Sequence, residues 1–247
     1  MIDSNKIDAS AYQNINVKKE NFIRDVDRLI EEGYYGLNVT IPLKEDAYKY
    51  CDNTSDIART LKAVNTLIIN KDGVYGDNTD PIGFEKSIAN RGLNNKLCLV
   101  LGAGGSARAV VYALTHMRCE IGIYNRTREN AESLCSDLGV EATVLTEKTI
   151  GEFIRSSHLV VNTTSLGQQE GEENNLIDFD SLNSSAHVYD LIYNPSKTTF
   201  LRHAEKNGCT VQNGLEMLIH QAAQSFNVWH DIMPEIDDDL KSVLGVN

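Results

Sequence analysis

The chain has 247 residues, of which 41% are hydrophobic and 23% charged, and a formal net charge of −12. That length can bury a full core and suits two modest domains better than one. The acidic balance disfavours nucleic acid and acidic membrane surfaces, so any anionic ligand must be held by local groups. The polar opening MIDSNKIDAS and the lack of an apolar run near the ~20 residues of a membrane span argue against a signal peptide or a membrane helix. The five cysteines lack CxxC spacing and read as reduced residues of a cytoplasmic protein, and the six histidines lack the paired spacing of a metal site.

In chain order, Ile15 to Val17 predict a short edge strand. Lys19 to Glu32 predict a helix with Phe22, Val26, Leu29 and Ile30 on one face, ended by Gly33. A strand at Gly36 to Ile41 then runs into Pro42, whose missing N–H suits the first turn of a helix. Alternation along it predicts that Asn38 and Thr40 share a side, opposite Val39 and Ile41. Lys44 falls in the first helical turn, where the dipole disfavours its cation, a poor position for stability and a good one for proton transfer. Ala63 to Leu67 read as a strand interrupted by Asn65, followed by a hairpin turn at Lys71 to Gly73 and a return to Gly76-Asp77-Asn78-Thr79-Asp80. Polar groups thus gather at three strand ends. Pro81 to Arg91 predict a linking helix.

The stretch Leu97 to Thr127 carries the strongest signal. A buried strand at Leu97 to Leu101 passes through Gly102, Ala103, Gly104, Gly105 and Ser106 into a helix from Ala107 to Leu114, and a second strand follows at Ile121 to Tyr124. Strand, glycine turn, helix and strand make a βαβ unit of the dinucleotide-binding kind. In it Gly102 permits the tight turn, Gly104 lets backbone approach a pyrophosphate, and Ala107 allows close helix packing. The second strand ends in Asn125, Arg126, Thr127 and Arg128, with no carboxylate for a ribose 2′-hydroxyl and with guanidinium groups for a 2′-phosphate, which selects NADP over NAD. Helices at Glu129 to Leu138, Thr149 to Arg155, Thr199 to Asn207 and Gly214 to Trp229 alternate with strands at Ala142 to Leu145, His158 to Val161, His187 to Leu191 and Cys209 to Val211. That alternation predicts an α/β fold with a parallel sheet covered on both faces. The loop from Gln168 to Asn175 lacks apolar anchors, and Glu235 to Asp239 read as a solvated helix terminus.

Taken together, NVTIPLKE at Asn38 to Glu45, AVNTL at Ala63 to Leu67, GDNTD at Gly76 to Asp80, GAGGSA at Gly102 to Ala107, NRT at Asn125 to Thr127, DLIYNP at Asp190 to Pro195 and NGLEMLIHQAA at Asn213 to Ala223 make the chain resemble the shikimate dehydrogenase family over nearly its whole length. The resemblance implies a Rossmann-like doubly wound NADP-binding domain at 81–213. It also implies a smaller α/β substrate domain at 1–80, completed by C-terminal helices at 214–247, with the site in the cleft. Lys44 and Asp80 become the catalytic pair, Thr40, Asn65, Tyr193 and Gln221 the substrate ligands with Asn38 beside them, and the glycine loop, Asn125 to Thr127, Leu191, Gly214 and Asp56 the cofactor positions. The family's opening strand and Ser-x-Ser loop, which grips the substrate carboxylate, find no match, so weaker substrate binding is expected. Lys62, Pro81, Glu216 and Asn130 stand where the family usually has other residues.

The implied activity is NADP-dependent reversible reduction of 3-dehydroshikimate to shikimate, a step of aromatic amino acid (chorismate) biosynthesis. Lys44 would protonate the developing alkoxide and Asp80 would orient the ammonium. A small-molecule substrate, no nucleic acid, no membrane, and a monomer or homodimer are expected. Two alternatives stay open: a quinate/shikimate dehydrogenase using NAD, which would place an acid near Asn125, and a non-catalytic dinucleotide-binding remnant.

Overall fold

The computed structural model describes residues 12–169, 172, 176–237 and 240. The chain divides into two compact units, Met1–Thr79 with Gln221–Asn247, and Asp80–His220.

In the first unit a 3-10 turn at Lys19–Asn21 leads into α1 (Phe22–Glu31), whose apolar stripe Phe22, Val26 and Leu29 is buried. There follow β1 (Gly36–Asn38), α2 (Lys44–Tyr50), β2 (Asn53–Thr54), α3 (Asp56–Leu61), β3 (Thr66–Asn70) and β4 (Gly73–Asp77). The sheet runs β1-β3-β4-β2 among the described residues: β3 and β4 form the expected hairpin, β1 lies antiparallel to β3 with Asn38 opposite Thr66, and β2 is parallel to β4. Val39, Leu43, Ala47, Val64 and Leu67 pack with α1 into one core.

Several expectations for this unit need correction. Ile15 to Val17 form no strand. Ile15 and Val17 line a groove of about 420 Å³ together with Leu37 and Asn38. The alternation from Asn38 to Ile41 stops with β1, because the chain turns at Thr40: Val39 is buried, whereas Ile41 is 75% exposed. Pro42 sits in that turn, and α2 begins two residues later, with Lys44. Ala63 to Asn65 precede β3 rather than belonging to it. Lys62 caps α3 at φ 53, the left-handed conformation that favours glycine.

The second unit comprises α4 (Asp80–Ser87), a 3-10 turn at Ala89–Arg91, β5 (Leu97–Leu101), α5 (Gly105–His116), β6 (Glu120–Tyr124), α6 (Arg128–Leu138), β7 (Thr143–Leu145), α7 (Ile150–Ser156), β8 (Leu159–Asn162), β9 (His187–Asp190), α8 (Thr199–Lys206), β10 (Thr210–Gln212) and the start of α9 (Leu215–His230). Its sheet is parallel throughout, in the order β10-β9-β8-β5-β6-β7. Counting strands along the chain, this is the 3-2-1-4-5-6 order of the doubly wound dinucleotide fold. Both sheet faces are covered: Cys98 and Val100 of β5 enter one apolar cluster, Leu99 and Leu101 the other. A continuous apolar run such as Leu97 to Leu101 is what a strand buried on both faces requires. From Gln221 onward α9 belongs to the first unit. Glu235 to Asp237 are irregular rather than helical, and Asp238 and Asp239 lie outside the described residues, as does most of Gln168 to Asn175. No helix among the described residues is long and apolar enough to cross a membrane.

Candidate active site

The glycine loop joins β5 to α5 in the second unit. Gly102 has φ 108, and a Cβ there would lie 2.6 Å from Thr163 Oγ1, so no larger residue fits. Gly104 and Gly105 pose the opposite case: a Cβ on either would meet nothing within 4 Å. Gly104 is the N-cap of α5 without a side-chain hydrogen bond, and the first turn carries no acid. Bare backbone opening on empty space at the positive end of a twelve-residue helix is the environment a pyrophosphate requires. Ala103 packs against the core, Ser106 is half-buried in the first turn, and Ala107 is wholly buried. The residues therefore fit a dinucleotide.

At the tip of β6, Asn125 Nδ2 donates to the Thr127 carbonyl at 2.7 Å and shapes the turn into α6. Arg126 is exposed there, whereas Arg128 is held by Glu132 at 2.7 Å. Of the two guanidinium groups, Arg126 is thus the better placed to take an anion. Asp56 is 92% exposed and paired with Arg59 at 2.6 Å on α3, apart from these residues in the chain and in the other compact unit.

After β9 the Asp190 to Pro195 loop is fixed by a buried carboxylate. Asp190 accepts from Thr198 Oγ1 (2.6 Å), Asn162 Nδ2 (3.0 Å) and the Ile192 N–H (3.1 Å), and burial pushes its carboxyl up to about 6. That loop presents Tyr193, 49% exposed, and Leu191, whose carbonyl would lie 2.0 Å from a Cβ on Gly214. Gly214 is accordingly required by backbone packing.

In the first unit three of the sequence-predicted residues meet. Asn65, 3% exposed, accepts the Thr79 N–H at 2.9 Å through Oδ1 and donates through Nδ2 to Thr79 Oγ1 at 3.0 Å, with Gln221 Oε1 at 3.4 Å. Asn38 Nδ2 donates to the Asn65 carbonyl at 3.2 Å and to Ser225 Oγ at 3.1 Å. Thr40, exposed in the turn, lines the same groove as Asn38. Lys44 is half-buried at the start of α2, where its carbonyl accepts the Val64 N–H at 2.9 Å and ties α2 to the segment carrying Asn65. Asp80, 8% exposed, opens α4 of the second unit. Asp77 and Asn78 of the GDNTD run are structural: Asp77 accepts from Ser55 and from the Asn78 N–H, and Asn78 donates to the Ala63 carbonyl.

Sequence reasoning overlooked Thr66, Thr79 and Ser225, all wholly buried and all hydrogen-bonded within this cluster. The signal for Ser225 was its position four residues after Gln221, on the same face of a helix. Among the described residues no group of three or more His, Cys, Asp or Glu could hold a metal ion.

The family model "Shikimate dehydrogenase substrate binding domain" matches residues 1–67, "Shikimate / quinate 5-dehydrogenase" residues 85–191, and "Shikimate 5'-dehydrogenase C-terminal domain" residues 214–244. The NADP(+) shikimate dehydrogenase of Caldicellulosiruptor bescii is 36% identical over 229 residues, 90% of this chain and 80% of the relative. The shikimate dehydrogenase structure from Aquifex aeolicus superposes with a TM-score of 0.89 at 31% identity, covering 98% of this chain and 89% of that one. The Thermus thermophilus enzyme, solved with NADP(H) and shikimate, gives 0.84 at 31% identity, covering 95% and 87%.

Proposed function

The chain belongs to the shikimate dehydrogenase family, and from that premise we propose that it catalyses the reversible NADP-dependent reduction of 3-dehydroshikimate to shikimate. The observation that carries the reading, beyond kinship, is the composition of the cluster around Asn65. Asn38, Asn65 and Gln221 meet there on a buried frame of Thr66, Thr79 and Ser225, a set of amides and hydroxyls without an ionised group, which suits a ring bearing neutral hydroxyls.

When bound, the nicotinamide supplies the hydride that converts the ketone carbon into an alcohol carbon. The carbonyl oxygen then gathers negative charge, and Lys44 gives it a proton, a contribution typically worth ~10²–10⁴-fold. Asp80 is the second catalytic group, a carboxylate that accepts a hydrogen bond from a substrate hydroxyl. Asn38, Thr40, Asn65, Tyr193 and Gln221 hold the remaining hydroxyls and the ring. Gly102 to Ala107 cradle the pyrophosphate, Asn125, Arg126 and Thr127 take the adenosine end with its 2′-phosphate, and Leu191 and Gly214 line the nucleotide. The exposed, ion-paired Asp56 is the weakest of the proposed cofactor contacts.

Steady-state assay with shikimate and NADP, beside quinate and NAD, tests the reading. The expected result is a kcat/KM higher for shikimate with NADP than for any other pairing. Preference for quinate with NAD would assign the sister activity instead, and nucleotide binding without turnover on any pairing would make the chain a binding protein.

A further inference from the structure

We propose that Tyr12 is a further substrate-binding residue, its phenol being a hydrogen-bond donor to the carboxylate of the substrate. The inference deepens the reading above and rests on it for the identity of the substrate and for Asn38 and Thr40 as its ligands.

Shikimate carries a carboxylate besides its ring hydroxyls, and an anion held by a protein needs either a cation or several N–H and O–H donors. The groove that holds Asn38 and Thr40 offers no cation: among the described residues that line it, none is Lys, Arg or His, and none is an acid that would repel the anion. Lys44 lies outside that lining and serves the ketone oxygen in the reading above. Neutral donors are therefore what the groove has to offer, among them the hydroxyls of Tyr12, Tyr34 and Thr40. Tyr34 is turned to Gln13, donating to Oε1 at 3.0 Å. Tyr12 is turned to a proposed substrate ligand, donating to Oδ1 of Asn38 at 3.0 Å.

The bonds of Asn38 decide where that phenol stands. Its Nδ2 donates to the Asn65 carbonyl at 3.2 Å and to Ser225 Oγ at 3.1 Å, so Oδ1 is the atom left to face the groove. A substrate hydroxyl that reaches Oδ1 comes to the place where the Tyr12 oxygen already lies. Tyr12 is 71% exposed, so its ring turns with little loss of packing. A phenol has one proton and keeps it up to about pH 10, and it gives that proton to Asn38 or to a carboxylate but not to both. The carboxylate is the stronger acceptor, because a hydrogen bond to an ionised partner is roughly twice as strong as one between neutral groups. Binding should thus move the Tyr12 proton from the amide oxygen to the carboxylate, and the oxygen it leaves on Asn38 takes a ring hydroxyl.

The test compares shikimate with its uncharged methyl ester in steady-state kinetics with NADP, using the full chain, Tyr12→Phe and Tyr34→Phe. Tyr12→Phe should raise the Michaelis constant for shikimate about tenfold, change kcat by less than about threefold and leave the constant for NADP unchanged. With the ester the same substitution should cost less than about threefold, because the partner of the phenol has lost its charge. Tyr34→Phe frees the neighbouring Gln13 without touching Asn38 and should keep the constants for acid and ester within about twofold. A Michaelis constant for shikimate that is unchanged or lowered in Tyr12→Phe would overturn the assignment, the phenol then being a mere occupant of Asn38. So would an equal rise for acid and ester, or a rise of the same size in Tyr34→Phe, since either would assign the effect to the shape of the groove. Should the unaltered chain fail to turn over shikimate, the proposed function fails, and titration of shikimate followed by NMR decides Tyr12 by itself: weaker binding to Tyr12→Phe upholds it, and equal binding or none refutes it.

Discussion

The two compact units build their candidate binding residues by opposite means. In the parallel-sheet unit the backbone does it: Gly104 and Gly105 present bare amides at the start of α5, and the neighbouring side chains fill apolar clusters. In the other unit, side chains do it, through a buried cluster of amide and hydroxyl groups that hydrogen-bond to one another. Backbone amides at a helix terminus survive most substitutions, because every residue but proline supplies one. A side-chain cluster is weakened by deleting a single oxygen, and each group left unmatched in the interior costs about 1–3 kcal/mol.

Substitutions confined to one unit should therefore separate the two functions. The largest effect is expected from Lys44→Ala, which should lower turnover at least about 10²-fold while leaving NADPH binding nearly unchanged, since the proton it gives belongs to the transition state. Single-turnover kinetics beside fluorescence titration of NADPH checks this, and near-normal turnover would remove Lys44 from the mechanism. Arg126→Ala should act on the other unit alone. Its expected signature is a Michaelis constant raised about tenfold for NADP and hardly at all for NAD, because only the former loses a charge-assisted contact. Equal changes for both cofactors would show that Arg126 does not read the 2′-phosphate.

The smallest effect concerns stability. Asp190 has its carboxyl pushed up from 3.8 to about 6 by burial, against hydrogen bonds from Thr198, Ile192 and Asn162 that favour the charged form. The native state thus holds this proton more tightly than the unfolded chain, so the stability it contributes is complete below 3.8 and is lost as pH rises through about 6. His187, on the same strand, behaves in reverse. Burial and the charge of Arg91 lower it from 6.5 to about 4, so stability is lost as pH falls through that range. The two slopes oppose one another between about pH 4 and 6. Asp190→Asn should remove one of them and make stability rise with pH there by on the order of 1 kcal/mol more than in the unaltered chain. Urea denaturation over a pH series measures it, and superimposable profiles for the two proteins would contradict the account.

The same contrast governed what could be read in advance. Leu97 to Leu101, Ile121 to Tyr124 and the helices between and after them were legible because a strand buried on both faces must be apolar throughout and its covering helix must repeat every three to four residues. The glycine loop was legible because few other sequences meet its backbone demands. In the first unit, β2 is only two residues long and exists because Asn53 and Thr54 pair with Tyr75 and Gly76, a contact that no local pattern announces. Ile15 to Val17 have a strand's composition but no partner strand among the described residues. Thr66 and Thr79 lay inside recognised runs, yet their partner Ser225 is 159 and 146 residues away, beyond the reach of any periodicity.

That separation has a consequence for how the molecule is made. Residues 80–220 are contiguous, so the parallel-sheet unit has its whole sequence available once about nine-tenths of the chain has left the ribosome. The first unit begins earlier and is completed later. Trp229 closes over Gly36 and donates to the Leu67 carbonyl at 2.9 Å, and Ser225 Oγ meets Thr66 Oγ1 at 2.7 Å, both from a helix synthesised nearly last. Until α9 emerges, Asn38, Thr66 and Thr79 lack the hydroxyl they share, and loop-closure entropy over some 160 residues must be overcome to supply it. The part of the chain that emerges first is therefore the part whose polar interior is finished last.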